Sequence, residues 1–459
     1  MAKLVWRVKL VAEFQAGVTT EVEVGRFERD EQASVADLGL RLGEAKQITA
    51  ALQAEMVPRQ VTVVGERHRL CATCGCVLAS KGYYPATFRS LFGNVPVRVR
   101  RLLVCPCCQG SGGAKSFAVL DLEAATMAPE LAYVTTRYAA LAPFGQVAAL
   151  LSELLPISGA RNAATVRNRT LRVGEAVVQL QVTKTAQQMA AKLAEPVVVG
   201  LDGGYVRSRH RQEERHFEVI AGKVIDAHGS QSRFAFARNS PTIASSAFKQ
   251  ALAAAGVQAD TPATVLCDGD AGLWRLRTRR CRRARSCSTG GTPRCASSTR
   301  CRRPAALARA RPTCTWPTRR FAKWRLWHGR WPGCRRRLAG LCRWAQRKHV
   351  RDVAGIGRLE RHVSELLGYL ERNQGVLVHY AARRRRGEPI STAFVESAVN
   401  EIVATRMNKK QQMRWNRTTV QPFLDVRTAM LNDTLDDAFR HRYPGFRPAN
   451  DDQVTATAA

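Results

Sequence analysis

Hydrophobic periodicity divides the start of the chain into strand and helix patterns. The segment VWRVKLVAEF at 5–14 alternates apolar and polar positions as a half-buried strand does, and 36–57 has the spacing of an amphipathic helix. The apolar run QVTVV at 60–64 returns to a strand pattern. We therefore predict a small α/β accessory module over residues 1–65, with no chemistry of its own.

The pattern over residues 66–120 is a β-hairpin between two cysteine motifs. TFRSLFGNVPVRVRRLLV has the pattern of strand, turn and strand, and it lies between CATCGC and CPCC. Each C-x2-C motif puts two thiolates on one tight turn, so the two motifs together supply the four sulfurs of a tetrahedral zinc site. We predict a zinc-ribbon-like region whose structural Zn²⁺ is bound by Cys71, Cys74, Cys105 and Cys108.

Two further thiols leave the choice of ligands open. Cys76 and Cys107 also belong to the two motifs, so the pairs Cys74 with Cys76 and Cys105 with Cys107 are alternatives. A set of buried, reduced thiols that binds no metal is the simpler alternative.

Residues 121–190 carry helical periodicity. FGQVAALLSELLP at 144–156 is one amphipathic pattern, a glycine-containing turn follows it, and an arginine-rich helical pattern comes next. This arrangement fits a helix-turn-helix whose second helix would present Arg161, Arg167 and Arg169 to DNA. An ordinary helical bundle would have the same pattern.

From residue 195 onward, apolar strand patterns end on carboxylates. EPVVVGLDGGYVRSR is a strand that ends at Asp202, two more strand patterns and a helix follow, and TPATVLCDGDAGLW is a strand that ends at Asp268. Much later, STAFVESAVNEIVATRMNKKQQMRW has a helical pattern with Glu396 beside its apolar stripe. Such acids can converge on two divalent cations, which activate water and stabilise the leaving oxygen in phosphodiester chemistry.

The order β-β-β-α-β, followed by a helix with the third acid, is typical of a ribonuclease H-like fold. We therefore predict an α/β protein with a ribonuclease H-like catalytic core over 195–445, interrupted by a helical insertion over 322–375. The zinc-ribbon module and the helical, helix-turn-helix-like DNA-binding region precede this core.

The strings VGLDGGYVRSR, LCDGDAGLW and STAFVESAVNEIVATRMNKKQQMRW resemble the bacterial DDE insertion-sequence transposases of the ISKra type, which are related to the Mutator superfamily. The cysteine-rich block is similar to that family's block, and the resemblance covers residues 60–275 and 322–445. It implies DNA cleavage and strand transfer with Mg²⁺ or Mn²⁺. The partners it implies are transposon terminal inverted repeats, target DNA and further copies of the same chain.

Position by position, the resemblance implies a catalytic and metal-binding triad of Asp202, Asp268 and Glu396, with Asp270 as a less favoured alternative to Asp268. Basic side chains continue beyond Glu396, where DNA would pass such a site. They are Arg406, Lys409, Lys410 and Arg414.

Composition agrees with a polyanionic partner. The 459 residues contain 72 Lys and Arg against 37 Asp and Glu, and the resulting charge of +35 favours nucleic acid over a membrane surface. The hydrophobic content of 45% argues against a disordered polycation. No uncharged apolar run reaches the roughly 18 residues of a membrane span, and charges interrupt the apolar N-terminus. We expect a cytoplasmic, nucleoid-associated protein that does not bind membranes.

One segment departs from the hydrophobic pattern and from the family. Residues 276–320 mix Arg with Cys, Ser, Thr and Pro, contain no acid, and have neither a helical nor a strand period. The related transposases have there an apolar strand that ends in an Asp-x-x-His element. One back-translation of SCSTGGTPRCASSTRC, read in a shifted frame, encodes VLDWWHAAVRFEHAL, which restores that strand and that element.

We interpret 276–320 as a compensated frameshift that removes a central strand of the core. The resulting copy would bind DNA but be defective in transposition. Two alternatives stay open for the segment: an Arg-rich nucleic-acid-binding arm, or a second zinc site from Cys281, Cys287, Cys295 and Cys301. For the whole chain, the alternative is a non-catalytic zinc-ribbon and helix-turn-helix DNA-binding protein. The tail 446–459 is predicted to be disordered.

Overall fold

The computed structural model describes the chain in segments and divides it into two compact units. The first unit comprises Met1–Val173 with Leu435–Ala459, and the second comprises Gly174–Thr434. The described residues are 3–13, 19–30, 34–35, 38–109, 115–120, 127–157, 162–188, 196–210, 212, 214–239, 241–258, 261–267, 285–288, 329–347, 356–372, 374, 377, 379–388, 393–408, 411 and 413–448.

The first unit begins with an antiparallel hairpin and a long helix. Strands β1 (Lys3–Glu13) and β2 (Thr19–Asp30) pair with each other, and helix α1 covers Leu42–Arg67. Arg29 donates hydrogen bonds of 2.8 and 2.5 Å to the carboxylate of Glu44 in the first turn of α1. The bond from Arg29 is the main reason that the pKa of Glu44 is lowered to about 2. This ion pair fixes the hairpin to the helix.

A three-stranded antiparallel sheet follows α1. It consists of β3 (Ser80–Ser90), β4 (Gly93–Leu103) and β5 (Ser116–Ala118) in that order. Gly93 has a φ of +117°, which favours glycine where the chain turns from β3 into β4. The hairpin predicted between the two cysteine motifs is therefore confirmed.

The strand predicted at 60–64 is wrong, because these residues belong to α1. Val57 and Val61 lie four residues apart on one face of that helix and pack on the valines of β4. The β-branched run favours a strand, but its preference is weak, and burial of the helix face against the sheet outweighs it. The predicted 1–65 module and the predicted 66–120 region are therefore not separate, because α1 of the former packs on the sheet of the latter.

Short and long helices complete the N-terminal part of the first unit. The helices predicted around 144–156 and after residue 161 are confirmed. The helices are α2 (Pro106–Gln109), α3 (Pro129–Leu141), α4 (Phe144–Leu154) and α5 (Ala163–Gln188). Helix α5 continues past Val173 into the second unit.

The C-terminal helix Leu435–Arg442 belongs to the first unit, although the sequence places it in the core over 195–445. Tyr133 of α3 donates a hydrogen bond of 2.6 Å to Asp436. Its ring centroid lies 5.3 Å from that of Phe439 and 5.1 Å from that of Phe446. This aromatic cluster attaches the C-terminal helix to α3. The prediction that the tail is disordered from residue 446 is wrong at its first residue, because Phe446 is buried in the cluster.

The second unit is built on a mixed sheet of six strands. Its main path runs β10-β9-β6-β7-β8, and β11 pairs with β6. Strands β6, β7 and β8 are antiparallel neighbours, whereas β9, β10 and β11 run parallel to their partners. The strands are β6 (Val197–Ser208), β7 (His216–Ile225), β8 (Gln231–Ala237), β9 (Ala263–Cys267), β10 (Arg285–Ser288) and β11 (Arg414–Trp415).

Helix α6 (Pro241–Ala254) covers one face of this sheet. Val199 and Leu201 of β6 point to that face and pack with Phe248 in one buried cluster. Because strand side chains alternate between faces, the residues at even positions of β6 point to the opposite face. The α/β class predicted from the sequence is confirmed by this unit.

Three helices lie within or just after the predicted insertion at 322–375. They are α7 (Trp331–Ala345), α8 (Ile356–Arg372) and α9 (Tyr380–Arg385). Helices α7 and α8 pack on each other through a small apolar core that includes Cys334, Leu338 and Leu370.

The opposite face of the mixed sheet is covered by the last helices of the second unit. Helix α10 (Ala393–Val399) passes into a π-helical turn at Asn400–Ala404 and then into α11 (Thr405–Met407). Helix α12 (Gln421–Leu431) follows and packs on β8.

The backbone of Arg285–Ser288 differs from the expectation for 276–320, which has no strand period. It forms β10, parallel to β9, at one end of the sheet path. An edge strand needs only backbone hydrogen bonds on one side and tolerates charged side chains, so an Arg-rich sequence can occupy it. The strand formed by this part of the segment therefore lies at the edge of the described sheet, and not at its centre as the frameshift interpretation assumes.

Within the described segments, we find no helix with the length and apolar character needed to cross a membrane.

Candidate functional site

The cysteine motifs meet at one end of the β3–β4–β5 sheet. The first motif precedes β3 and the second follows β4, and the start of β3 pairs with the end of β4. In the first motif, the N–H of Gly75 donates to the carbonyl of Cys71 at 2.9 Å, and the N–H of Cys71 donates to the carbonyl of Cys76 at 2.9 Å. Gly75 has a φ of +71°, so the turn favours glycine at this position.

The four predicted zinc ligands are brought together. The sulfurs of Cys71, Cys74, Cys105 and Cys108 all lie within 4.8 Å of one another. Two of the sulfur–sulfur distances are 3.9 Å, from Cys71 to Cys108, and 3.4 Å, from Cys74 to Cys105. Cys105 is buried with Leu78 and Leu102, so one ligand is anchored in the apolar core of the module.

These four thiols fit a metal ion such as zinc. Metal–sulfur bonds of about 2.3 Å place neighbouring sulfurs of a tetrahedral site about 3.8 Å apart, close to the distances found here. This set contains the four thiols that a tetrahedral site needs, whereas the group with Cys76 and Cys107 contains three. The prediction that the cluster could hold a metal is confirmed.

The thiols of this cluster differ in pKa. Backbone N–H groups of Cys74 and Thr73 lower the pKa of Cys71 to about 6. Hydrogen bonding with the Cys74 thiol is the main cause that raises the pKa values of Cys76 and Cys108 to about 12. A metal ion binds thiolates, so binding must release protons and weaken as the pH falls.

In the second unit, Asp202 lies in the middle of β6, beside the end of β9. The prediction that this strand ends at Asp202 is wrong, because pairing with β7 continues to Arg207. Leu201 of β6 pairs with Cys267, the last residue of β9, so Asp202 is the next residue beyond their paired stretch. Its side chain is half-buried and accepts a hydrogen bond of 2.8 Å from the N–H of Gly203. Asp268 follows Cys267 in the sequence but lies outside the described residues.

The helix that carries Glu396 packs on the face of β6 to which Asp202 points. A Cβ atom added to Gly200 would lie 2.4 Å from a methyl group of Val395 and 2.5 Å from the ring of Phe394. Gly200, Asp202 and Gly204 share one face because they are two residues apart along the strand. The sequence therefore keeps side chains off this face on both sides of Asp202, which allows the Glu396 helix to approach closely.

Glu396 itself is exposed in the first turn of α10, as expected for a ligand that must reach solvent and substrate. The structure brings its helix and Asp202 to the same sheet face. Among the described residues, however, the cysteines alone form groups of three or more ligands close enough to hold one ion.

Sequence reasoning missed Glu401, which lies in the π-helical turn after α10. Its carboxylate accepts hydrogen bonds of 2.9 Å from Lys223, 2.8 Å from Arg233 and 2.7 Å from Ser397. Burial alone would raise its pKa, but these partners outweigh burial and lower the pKa to about 2. Lys223 of β7 and Arg233 of β8 lie directly opposite each other in the strand register, and the basic residue in each of these two apolar strand patterns was the available signal.

Two predicted DNA contacts on α5 are described, and both arginines are half-buried. Arg167 donates bonds of 3.2 and 3.0 Å to Asn168. The pKa of Arg169 is lowered by burial and by the positive charge of Arg89. Arg414 is exposed on β11, and three further predicted contacts lie outside the described residues: Arg161, Lys409 and Lys410.

Arg406 is not available for DNA, which corrects its predicted role. Its exposed fraction is 0%, and its guanidinium lies 5.6 Å from the ring centroid of Trp415 and 5.0 Å from that of Phe423. Burial, followed by the charge of Arg427, lowers its pKa to about 9. The residue stabilises the packing of the helix end, because a buried guanidinium can stack on aromatic rings.

Comparison with known proteins adds no relative: no protein-family model matches the chain, and no curated protein sequence matches it.

Proposed function

We propose that the chain is a DDE transposase with a ribonuclease H-like core, which performs metal-dependent DNA cleavage and strand transfer for an insertion sequence. The observation that carries the proposal is the close packing of the Glu396 helix on the Asp202 face of β6, made possible by Gly200. A strand carboxylate and a helix carboxylate on one sheet face are the arrangement that such a site requires.

The order of elements supports the proposed core. Three antiparallel strands, one helix and two parallel strands follow one another in the second unit, and a helix with an acidic residue closes the series. This is the order expected of a ribonuclease H-like fold with one acid on β6, one directly after β9 and one on α10.

Asp202, Asp268 and Glu396 would hold the divalent cations, Mg²⁺ or Mn²⁺. Carboxylate oxygens are the ligands these hard cations prefer, and the cations would supply water activation and stabilisation of the leaving oxygen. The register supports Asp268 over Asp270, because Asp268 directly follows Cys267, which pairs with the residue before Asp202. The carboxylates would orient the scissile phosphate on the exposed side of the helix.

The net charge of +35 supports DNA as the partner. Exposed Arg414 lies on β11, which pairs with β6 at Arg207 and Ser208, on the same strand as Asp202. We also propose that the four-cysteine site binds structural Zn²⁺ and that α4 and α5 act as a helix-turn-helix. The active form would be a homo-oligomer on DNA.

We further propose that this copy is defective, because the family's Asp-x-x-His segment is replaced by the Arg-rich sequence over 276–320. A non-catalytic zinc-ribbon and helix-turn-helix DNA-binding protein is the second candidate. The observation that favours it is that the described residues bring four thiols together in one group that could hold a metal ion.

The test compares the present chain with a version in which 276–320 carries the alternative-frame sequence. Both are incubated with Mg²⁺ and labelled DNA that flanks the coding sequence. We expect both to bind DNA, and only the restored version to cut it. In the restored version, Asp202→Asn and Glu396→Gln should each lower cleavage by roughly 10²- to 10⁴-fold, the range for loss of a catalytic group.

Glu365→Gln is the matched control, because Glu365 is an exposed acid on α8 and should leave cleavage unchanged. DNA binding without cleavage by the restored version would favour the non-catalytic candidate. Robust cleavage by the present chain that is abolished by Asp202→Asn would contradict the proposal that this copy is defective.

A further inference from the structure

The six thiols of the first unit form two groups that share one member. The second group consists of Cys74, Cys76 and Cys107, whose sulfurs also lie within 4.8 Å of one another. Four thiolates complete the tetrahedral coordination of one metal ion. The four-cysteine site therefore leaves Cys76 and Cys107 without an assigned role.

The spacing of this extra pair suits a common metal ligand set. The sulfurs of Cys76 and Cys107 are 3.6 Å apart. Neighbouring sulfurs around one tetrahedral ion lie about 3.8 Å apart, so this pair has the separation of two ligands of the same ion. Its distance falls between the two measured in the four-cysteine site.

The backbone holds both thiols in place while leaving them accessible. The carbonyl of Cys76 accepts the N–H of Cys71, which closes the first turn, and Cys107 lies in the short helix α2. Both side chains are exposed, so an ion can reach them from solvent. They come from different motifs, and an ion between them would join the two turns a second time.

We propose that Cys74, Cys76 and Cys107 bind a second zinc-like d¹⁰ metal ion, and that the Cys74 thiolate bridges it to the ion in the four-cysteine site. The bridge is required by geometry, because Cys74 is the one residue common to the two groups. Each thiol that binds releases its proton to solvent. The fourth position of the second ion faces solvent and takes water or an external thiol. This inference concerns the cysteine module and is independent of the proposed DNA chemistry.

The test counts metal ions in the full chain under reducing conditions. Cysteines of the Arg-rich segment would bind metal as well, so the parent protein carries serine in their place: Cys281, Cys287, Cys295, Cys301 and Cys314. We expect this parent to bind about two equivalents of Cd²⁺ and to give two ¹¹³Cd NMR resonances that couple through the shared sulfur.

Cys76→Ser combined with Cys107→Ser should bind about one equivalent and keep a single resonance, whereas the control Cys342→Ser should keep both. One equivalent in the parent, or two in the double variant, would overturn the proposal. If circular dichroism shows that the double variant is unfolded, the single variants Cys76→Ser and Cys107→Ser test the proposal instead. Each should weaken the second equivalent by about 10-fold or more and leave the first unchanged.

Discussion

Glu401 joins two basic side chains of the sheet to the helical segment that follows Glu396. Lys223 of β7 is 5% exposed and Glu401 is 33% exposed, so the lysine depends on this carboxylate for compensation of its buried charge. Arg427 adds a bond to the backbone carbonyl of Glu401. The network fixes the π-helical turn on the sheet, and π turns often lie beside functional sites.

Glu401→Gln should therefore lower the free energy of unfolding of the second unit. Loss of one partner of a buried pair costs about 3–5 kcal/mol, and partial solvent exposure of Glu401 reduces this to about 2 kcal/mol. Chemical denaturation measures the change. Glu396→Gln is the matched control, because Glu396 is exposed and should leave stability unchanged. Equal stability of the two variants would show that the network does not stabilise the fold.

The same carboxylate gives stability a defined pH dependence. The pKa of Glu401 is lowered from 4.5 to about 2 in the folded chain, so its contribution is fully present above pH 4.5. It should be lost as the pH falls from 4.5 through 2. Between pH 4.5 and 2, the stability of the Glu401→Gln variant should accordingly fall less steeply with decreasing pH than that of the unchanged chain. Acid unfolding followed by tryptophan fluorescence measures the difference.

Residue-level roles were the hardest to predict. The cysteine spacing identified the four thiols, because two short motifs around one hairpin leave little geometric freedom. Arg406 was misassigned, since a charge pattern does not reveal that an arginine packs between Trp415 and Phe423. Glu401 was missed because its partners lie on strands far away in the sequence.

At the scale of elements, the contact between β6 and α10 depends on the absence of a side chain at Gly200. The nearest atoms belong to Val395 and Phe394, and a Cβ at 2.4 Å from one of them requires the helix to move. A Cβ atom added to Gly204 would lie 3.1 Å from a methyl group of Val399 and 3.2 Å from one of Val403. The two glycines therefore set the distance between the strand of Asp202 and the helix of Glu396.

Gly200→Ala should displace the helix and destabilise the second unit by about 1–3 kcal/mol, the cost of overpacking a filled interior. Thermal denaturation measures this cost. Gly340→Ala is the control: Gly340 lies in α7 with no atom within 4 Å of the added Cβ. It should be neutral or stabilising by up to about 1 kcal/mol. A stability loss no greater than that of the control would contradict the close approach.

Metal removal should loosen the cysteine module selectively. Small hairpins have little stability of their own, and metal binding to such modules contributes directly to folding. A strong chelator should increase hydrogen exchange most at the cysteine end of β3 and β4, near Leu102, and leave β6 and β9 unchanged. Cys105→Ser should reproduce the effect. Unchanged hydrogen exchange after chelation would show that the module is stable without a metal ion on its thiols.

Elements were predictable where local pattern and tertiary packing agree. The alternation predicts β4 correctly and the spacing in 144–156 predicts its helix correctly, whereas the apolar run of β6 predicts the strand but not its continuation past Asp202 to Ser208. The run QVTVV failed because the valines of α1 are buried by β4, whose position no local pattern contains. Likewise, an Arg-rich sequence gave no signal for β10, since an edge position depends on backbone pairing.

For the whole molecule, the charge has two sources. Residues 275–320 contain 15 Arg and no acid, so they carry 15 of the 35 positive charges and leave +20 for the rest of the chain. The remaining charge still favours a polyanionic partner. The Arg-rich part is the sequence that the frameshift hypothesis assigns to the wrong reading frame.

Restoring the alternative frame should therefore weaken non-specific DNA binding without abolishing it. Each phosphate contact contributes about −0.9 to the slope of log K against log salt for duplex DNA, so fewer arginines should give a shallower slope. Fluorescence anisotropy at several salt concentrations measures it. The same slope for both versions would show that the segment makes no phosphate contacts. The coding DNA across Trp274–Lys323 tests the frame directly.

The position of β10 at the edge bears on how long a damaged gene can persist. Among the described strands, β10 pairs with β9 alone, and β9 also pairs with β6, which pairs in turn with β7. If the reading frame changed there, the cell would still make a chain with most of its sheet intact, and quality control by proteases would have little to recognise. Selection would then act on the lost chemistry alone, and a silent copy could be inherited for many generations.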